Sequence, residues 1–463
     1  MDIIFELAEN IARTQFDNLP YEVVDVTKKF VLDTIGNAIA GSAASGSSEL
    51  VSQVKSWGGT EESTVLTFGG RLPSIHAAFV NSYMTFARDF GDTHMAGRSG
   101  VHCNDTVLPA SLAIAEQEKK SGKDFITALA LGIDLEARLG MSVDFFRGWH
   151  TTSILGGFGA AASAGKLLGL DKERLVDALG IAYSQTHGNR QGRQDGAASR
   201  RLQVAFASKA GTYSALLARA GFTGARNILE GQWGFYRLYR DPAVPFDNET
   251  SKKILCDELG KRFEIVNLAV KPYPSCGGTH GPIDAALQLA AKERLEPSNV
   301  ETVTVHVSTT VKEIVGAPFA IRVNPQLDAQ FSIPYTVAVA LVKGKVTLKD
   351  FEPGEIRGNA RVLEMAAKIR VEVDEKIQYF KGKGTLARVE VLTKDGKKYS
   401  NEIEVVKGYP QNPMGFDEVA EKFRQSVEYS AKALRREQLE TLIGLIAELE
   451  RVRDVCELTA LVQ

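Results

Sequence analysis

From about residue 20 to about residue 260 the apolar positions fall three and four apart, the spacing of a helix with one face turned inward. VVDVTKKFVLDTIGNAIAG (residues 23–41) keeps this period and stops at Gly41, a stop signal. Asp105 stands where a helix N-cap belongs, with Pro109 in the first turn and ASLAIAEQEKK running on towards Gly122. DFITALALGIDLEARLG follows almost at once, which predicts an antiparallel helix pair. SILGGFGAAASAGKLLGL is crowded with small residues that let neighbouring backbones approach, so it predicts a buried central helix whose packing offsets the poor helix propensity of glycine.

Near residue 263 the period changes. FEIVNLAVKPYP reads as extended, and VETVTVHVST alternates with Val303, Val305 and Val307 on one face. GTHGPIDAALQLAAKERL lies between them and is helical in period. KIRVEVDEKI and the hairpin LARVEVLTKDGKKYSNEIEVV, turning at Asp395-Gly396, add strands. From about Phe416 the helical spacing returns, through VAEKFRQSVEYSAKAL and QLETLIGLIAELERV. The expectation is a mainly α protein: a large all-α helical domain formed by both termini (1–262 plus 408–463), with a smaller α+β domain (263–407) inserted.

Charge removes several functions from consideration. Fifty-five Lys and Arg stand against 57 Asp and Glu, so no basic surplus points to nucleic acid and no polybasic run to an anionic membrane. MDIIFELAEN does not look like a secretory signal, and no apolar run is long enough to span a membrane. The four cysteines, Cys103, Cys256, Cys276 and Cys456, form no CxxC pair, so no disulfide framework or structural zinc site is expected. The expected setting is cytoplasmic.

The polar groups point to proton transfer. DFGDTHMAGRSGVHCND (residues 89–105) packs acids, histidines and a cysteine into one turn-rich stretch. Of the seven histidines, His76 reads as a packed helix residue, His306 as a strand residue on an exposed face, and His187 as the end of a helix. His94, His102, His150 and His280 lie in or beside turns, where catalytic groups concentrate. No HxxH, HExxH or i, i+4 histidine pair suggests a metal. Lys271 precedes a turn and sits within nine residues of His280. Arg190, Arg193, Arg200 and Arg201 stand in or beside the loop HGNRQGRQDGAASRR, where guanidinium forks can grip carboxylates in bidentate fashion. GGFGAAASAG lacks the preceding strand of a dinucleotide-binding fingerprint, so no cofactor is expected.

Several blocks occur in an order that resembles the MmgE/PrpD family: RDFGDTH with HCNDTVLPASLAIAE, GWHTTSILGGFGAAASAGKLLGL, RLQVAFASKAGTYSALLARAGFTG, KPYPSCGGTHGPIDAALQL and DAQFSIPYTVAVALVKGKV. That family includes 2-methylcitrate dehydratase, cis-aconitate decarboxylase and iminodisuccinate epimerase. The resemblance implies a helical domain with a smaller α+β lid, a homodimer, and metal-free acid–base chemistry on small di- and tricarboxylates in a cleft between the domains. Carried over, it implies that His102, His150, Asp89 and Lys271 are catalytic and that Thr93 lines the pocket. With them we group Arg193, Arg200, Arg201, Cys276 and His280 as substrate-binding candidates. Two positions depart from the family pattern. Arg200 stands where lysine is usual, and Cys276 stands where the decarboxylase branch carries histidine. The insertion MAGRSG also implies a differently shaped pocket rim. Dehydration of a β-hydroxy acid such as 2-methylcitrate is therefore the first expectation. Epimerisation comes next, then decarboxylation, then a non-catalytic binding role.

Overall fold

The computed structural model describes residues 2–96, 99–146, 148–377 and 383–463. It is mainly helical and divides into two units. The first comprises residues 1–87, 91–268 and 415–463; the second comprises 88–90 and 269–414. The sequence-based boundaries were placed at 263 and 408, so the segment 263–268 goes with the first unit and 408–414 with the second.

In the first unit, α1 (Tyr21–Gly41), α2 (Ser74–Phe86), α3 (Asn104–Gln117), α4 (Gly122–Met141), α5 (Thr151–Leu167) and α6 (Ser199–Arg219) pack around one another. The helix Phe416–Val427 returns to pack on α1. As the small residues predict, α5 is buried almost throughout and touches α3, α4 and α6. A Cβ at Gly159 would lie 2.6 Å from Glu136 Oε2, so a larger residue would push α5 off α4. Gly41 marks an even closer approach: a Cβ there would come within 1.8 Å of the Met84 carbonyl oxygen on α2. Gly41→Ala must separate two packed helices, and we expect a loss of at least about 1–3 kcal/mol in urea unfolding, the usual cost of overpacking. An unchanged midpoint would show that α1 and α2 part freely.

Helix α3 begins differently from the expectation. Asp105 lies inside the helix, and Cys103 is the N-cap residue without a side-chain cap of its own. The capping oxygens come from Asp92, eleven residues upstream of Cys103: its Oδ2 accepts the Cys103 N–H at 3.0 Å and its Oδ1 the Asn104 N–H at 3.1 Å. Pro109, also interior, cannot donate to the Asp105 carbonyl one turn back. Hydroxyls on α2 take the vacant place, Ser82 Oγ at 2.6 Å and Thr85 Oγ1 at 3.3 Å. The hairpin of β1 (Asp92–Ala96) and β2 (Ser99–Val101), with His94 opposite Val101, precedes α3. Within the MAGRSG insertion, Gly97 and Arg98 lie outside the described residues.

The segment 263–274 is less extended than its apolar pattern suggests. Glu264–Asn267 is a 3-10 turn and Ala269–Val270 the only strand within it. Anchoring of Glu264 explains the turn, because its backbone N–H donates to Asp134 Oδ1 at 2.8 Å.

The second unit holds α7 (His280–Glu293), α8 (Ile333–Lys343) and a four-stranded sheet. Its strands are β3 (Val300–Val307), β4 (Ile369–Val373), β5 (Ala387–Thr393) and β6 (Lys398–Ile403), in the order β4-β3-β5-β6. Only the β3–β4 pair is parallel. Val303, Val305 and Val307 are buried on one face, as the alternation requires, and α7 packs on β5 and β6. The β5–β6 turn closes at Gly396, whose φ of +81° glycine adopts without strain.

Candidate active site

One phenyl ring organises the polar cluster of the first unit. Phe86 ends α2, and its centroid lies 5.8 Å from the His102 ring and 5.9 Å from the His150 ring. The Arg200 guanidinium carbon stands 4.7 Å from the same centroid, a cation–π distance. Arg200 is in the first turn of α6 and buried, so its charge is held in place instead of roaming in solvent. Arg201, about 100° further round the helix, points its Nη1 to the Ser45 carbonyl at 3.0 Å.

His102 sits between β2 and α3. Its Nδ1 lies 2.6 Å from the Asp92 carbonyl oxygen, and its backbone N–H donates to Thr152 Oγ1 at 3.2 Å. A carbonyl can only accept, so Nδ1 carries the hydrogen, and in the neutral ring Nε2 bears the lone pair. His150 precedes the first turn of α5, with its Nδ1 2.8 Å from Ser153 Oγ. Desolvation, followed by the nearby charges of Arg200, His102, Arg190 and Arg193, holds its imidazole well below the usual histidine range. At neutral pH His150 is therefore an uncharged acceptor. The unfolded chain takes up this proton near the ordinary value while the folded chain resists it, so His150 makes stability fall as pH drops below about 6.5. In an NMR titration the His150 midpoint should lie below that of a free imidazole; a midpoint at or above about 6.5 would contradict the account. Arg193 lies on the short helix Gln191–Gln194, and Arg190 is tied down by Nε donating to the Trp149 carbonyl at 3.2 Å.

The second unit holds Asp89, Lys271, Cys276 and His280. Lys271 is 2% exposed and donates to Asp89 Oδ1 at 2.9 Å and to the Asp89 carbonyl at 3.3 Å. Asp89 has a φ of +52°, a left-handed conformation that aspartate tolerates better than most residues. Gln330 fixes the surrounding backbone, donating to the carbonyls of Arg88 and Pro274 and accepting the Cys276 N–H at its own carbonyl. His280 is fully enclosed; its Nε2 meets the Ser275 carbonyl at 3.1 Å and its ring meets Tyr273 edge-on. It thus braces the turn that carries Cys276.

Thr93 is buried on β1. His94 is also on this strand, not in a loop: it is 1% exposed, with Nε2 3.5 Å from Glu264 Oε2. Desolvation pushes the Glu264 carboxyl up, but hydrogen bonds from His94 and Asn267 and the charges of His94 and Arg262 outweigh it and hold the group near 2. His94 therefore belongs to a buried polar cluster with Glu264. His76 is partly buried against Trp57, and His306, on the more open face of β3, lies 3.5 Å from Glu390. His187 lies beyond the helix Lys172–Tyr183 instead of ending it, with its ring edge-on to Phe206. No group of three or more His, Cys, Asp or Glu among the described residues is arranged to hold a metal ion.

Comparison with known proteins shows the family. Residues 5–245 match the MmgE/PrpD N-terminal domain and residues 273–445 the MmgE/PrpD C-terminal domain. The chain belongs to the MmgE/PrpD family. A cis-aconitate decarboxylase of Aspergillus terreus is 28% identical over 475 positions, covering 98% of this chain and 94% of that protein. The Homo sapiens cis-aconitate decarboxylase is 27% identical, covering 96% and 91%. A 2-methylcitrate dehydratase of Escherichia coli (strain K12) is 23% identical over 374 positions, covering 74% and 75%. This MmgE/PrpD protein thus has enzymes as relatives, of two reaction types.

Proposed function

We propose that this protein is a lyase acting on a small di- or tricarboxylate by proton transfer, and that its reaction is dehydration of a β-hydroxy acid of the 2-methylcitrate kind. The observation that carries the proposal is the pair of imidazoles set on Phe86 beside the buried Arg200 guanidinium. His102 offers Nε2 as a lone pair, and His150 is uncharged, so the cluster is equipped to remove a proton next to a carboxylate. Arg200 supplies fixed positive charge for the carboxylate and for the electron density that builds on it as the proton leaves. Lys271, Arg193, Arg201, Thr93, Asp89, Cys276 and His280 remain candidates for holding the substrate or aiding the transfer, with Lys271 already oriented by Asp89. A metal is not part of the proposal.

Decarboxylation of a cis-aconitate-like acid is the second reading, favoured by the decarboxylases that align with almost the whole chain. Against it stands Cys276, a thiol where the decarboxylase branch carries an imidazole. EDTA-treated protein should be incubated with 2-methylcitrate, citrate, cis-aconitate and iminodisuccinate, and the products identified by mass and by chiral chromatography. Loss of water from a hydroxy acid supports the proposal. Loss of carbon dioxide from cis-aconitate moves the assignment to decarboxylase. Inversion without mass change moves it to epimerase.

A further inference from the structure

Asp92 is absent from the set of residues expected to act, yet it meets the candidate base in two ways. Its carbonyl oxygen receives His102 Nδ1–H at 2.6 Å, the contact that leaves Nε2 unprotonated in the neutral ring. Its carboxylate accepts the N–H groups of Cys103 at 3.0 Å and Asn104 at 3.1 Å, the two residues that follow His102. One residue therefore grips the start of α3 with its side chain and the adjoining imidazole with its main chain. Asp92 is 0% exposed, so this grip is not diluted by water.

The electrostatics suit a fixed anion. The orphan N–H groups and the positive end of the α3 dipole meet the Asp92 carboxylate. A second buried carboxyl, Glu136 on α4, is pushed well above its usual range by desolvation, with the charges of Asp92 and Asp105 adding to the effect. Glu136 Oε2 and the Cys103 carbonyl both lie 3.0 Å from Thr106 Oγ1. A hydroxyl has one hydrogen to give. If Thr106 gives it to Cys103, a protonated Glu136 can supply the hydrogen of the other bond. Burial thus favours the neutral form of Glu136, while the Asp92 carboxylate accepts the two N–H groups at the α3 start.

We propose that Asp92 is the positioning residue that selects the Nδ1–H tautomer of His102 and aims its Nε2 for proton transfer. This rests on His102 being the proton-transfer group. With Asp92→Asn, the side-chain oxygen can still accept one N–H, but the new amide N–H₂ faces the other donor. The start of α3 then loosens, and His102 is no longer pinned to the residue 92 carbonyl.

The test is ¹⁵N NMR of histidine-labelled protein without substrate, with the His102 signals assigned by their loss in His102→Gln. In the wild type, Nδ1 should be pyrrole-like and Nε2 pyridine-like at a pH where the ring is neutral. In Asp92→Asn the two tautomers should mix, and kcat should fall about 10–100-fold, by analogy with the loss of outer groups that orient a metal-ligating imidazole, with KM little changed. If Asp92→Asn does not fold, Asp92→Ser, a good capping residue that keeps one acceptor, takes its place. A wild-type ring protonated at Nε2 overturns the proposal, as does a variant with an unaltered tautomer. Because the tautomer is read without substrate, a wrong assignment of the reaction leaves this result standing. A correct tautomer combined with full activity of His102→Gln would instead remove the functional reading alone.

Discussion

His102→Gln is expected to lower kcat/KM by about 10²–10⁴-fold, the usual contribution of a positioned general acid or base. Glutamine sets an uncharged amide near the place of Nε2, so the variant removes basicity while keeping a polar group there. The loss should appear in kcat more than in KM, because Arg200 still attracts the carboxylate. His150→Gln should also be impaired. The two losses should not add in the double variant, since groups acting as a unit are strongly non-additive. Steady-state kinetics of the three variants on the substrate found in the product screen checks this. A His102→Gln enzyme within threefold of wild type would exclude His102 from the chemistry.

The second large effect concerns stability. Lys271→Met removes the buried cation that lies 2.9 Å from Asp89 Oδ1, and we expect a loss of about 3–5 kcal/mol. Asp89→Asn should be less costly than other neutral replacements, because asparagine also tolerates the left-handed backbone at φ +52°. The double variant Asp89→Asn with Lys271→Met should regain much of the loss, since both charges of the buried pair are then removed together. Urea unfolding, followed by a probe in the second unit, measures all three. A cost below 1 kcal/mol for Lys271→Met would show that water reaches the pair.

Much of this was legible in the sequence, and the misses share one cause. Periodicity located α1, α4 and the alternating strand β3, and the run of small residues located α5, which is buried almost all round. It misplaced the start of α3, because the capping carboxylate comes from Asp92 on another element, not from the local Asp105. It gave Glu264–Asn267 too much strand, because a side-chain network ties that segment to His94 and Asp134. His94 and His102 look alike in a turn-rich stretch; burial and partner separate them, one against a carboxylate and the other against a carbonyl. Motif likeness singled out His102, His150 and Arg200, but only the fold shows that Phe86 brings the three together. Residue type also concealed Asp92, which acts partly through its main chain, and a main-chain carbonyl carries no sequence signature.

The central claim is that His102 moves a proton on a carbon next to a carboxylate. The most direct measurement is deuterium wash-in: proton NMR of 2-methylcitrate and cis-aconitate in deuterated water with wild-type and His102→Gln protein. The account predicts solvent deuterium on the carbon skeleton of substrate or product with the wild type, and at least tenfold slower incorporation with the variant. Equal incorporation by both proteins, or turnover by the His102→Gln protein at the wild-type rate, would contradict it.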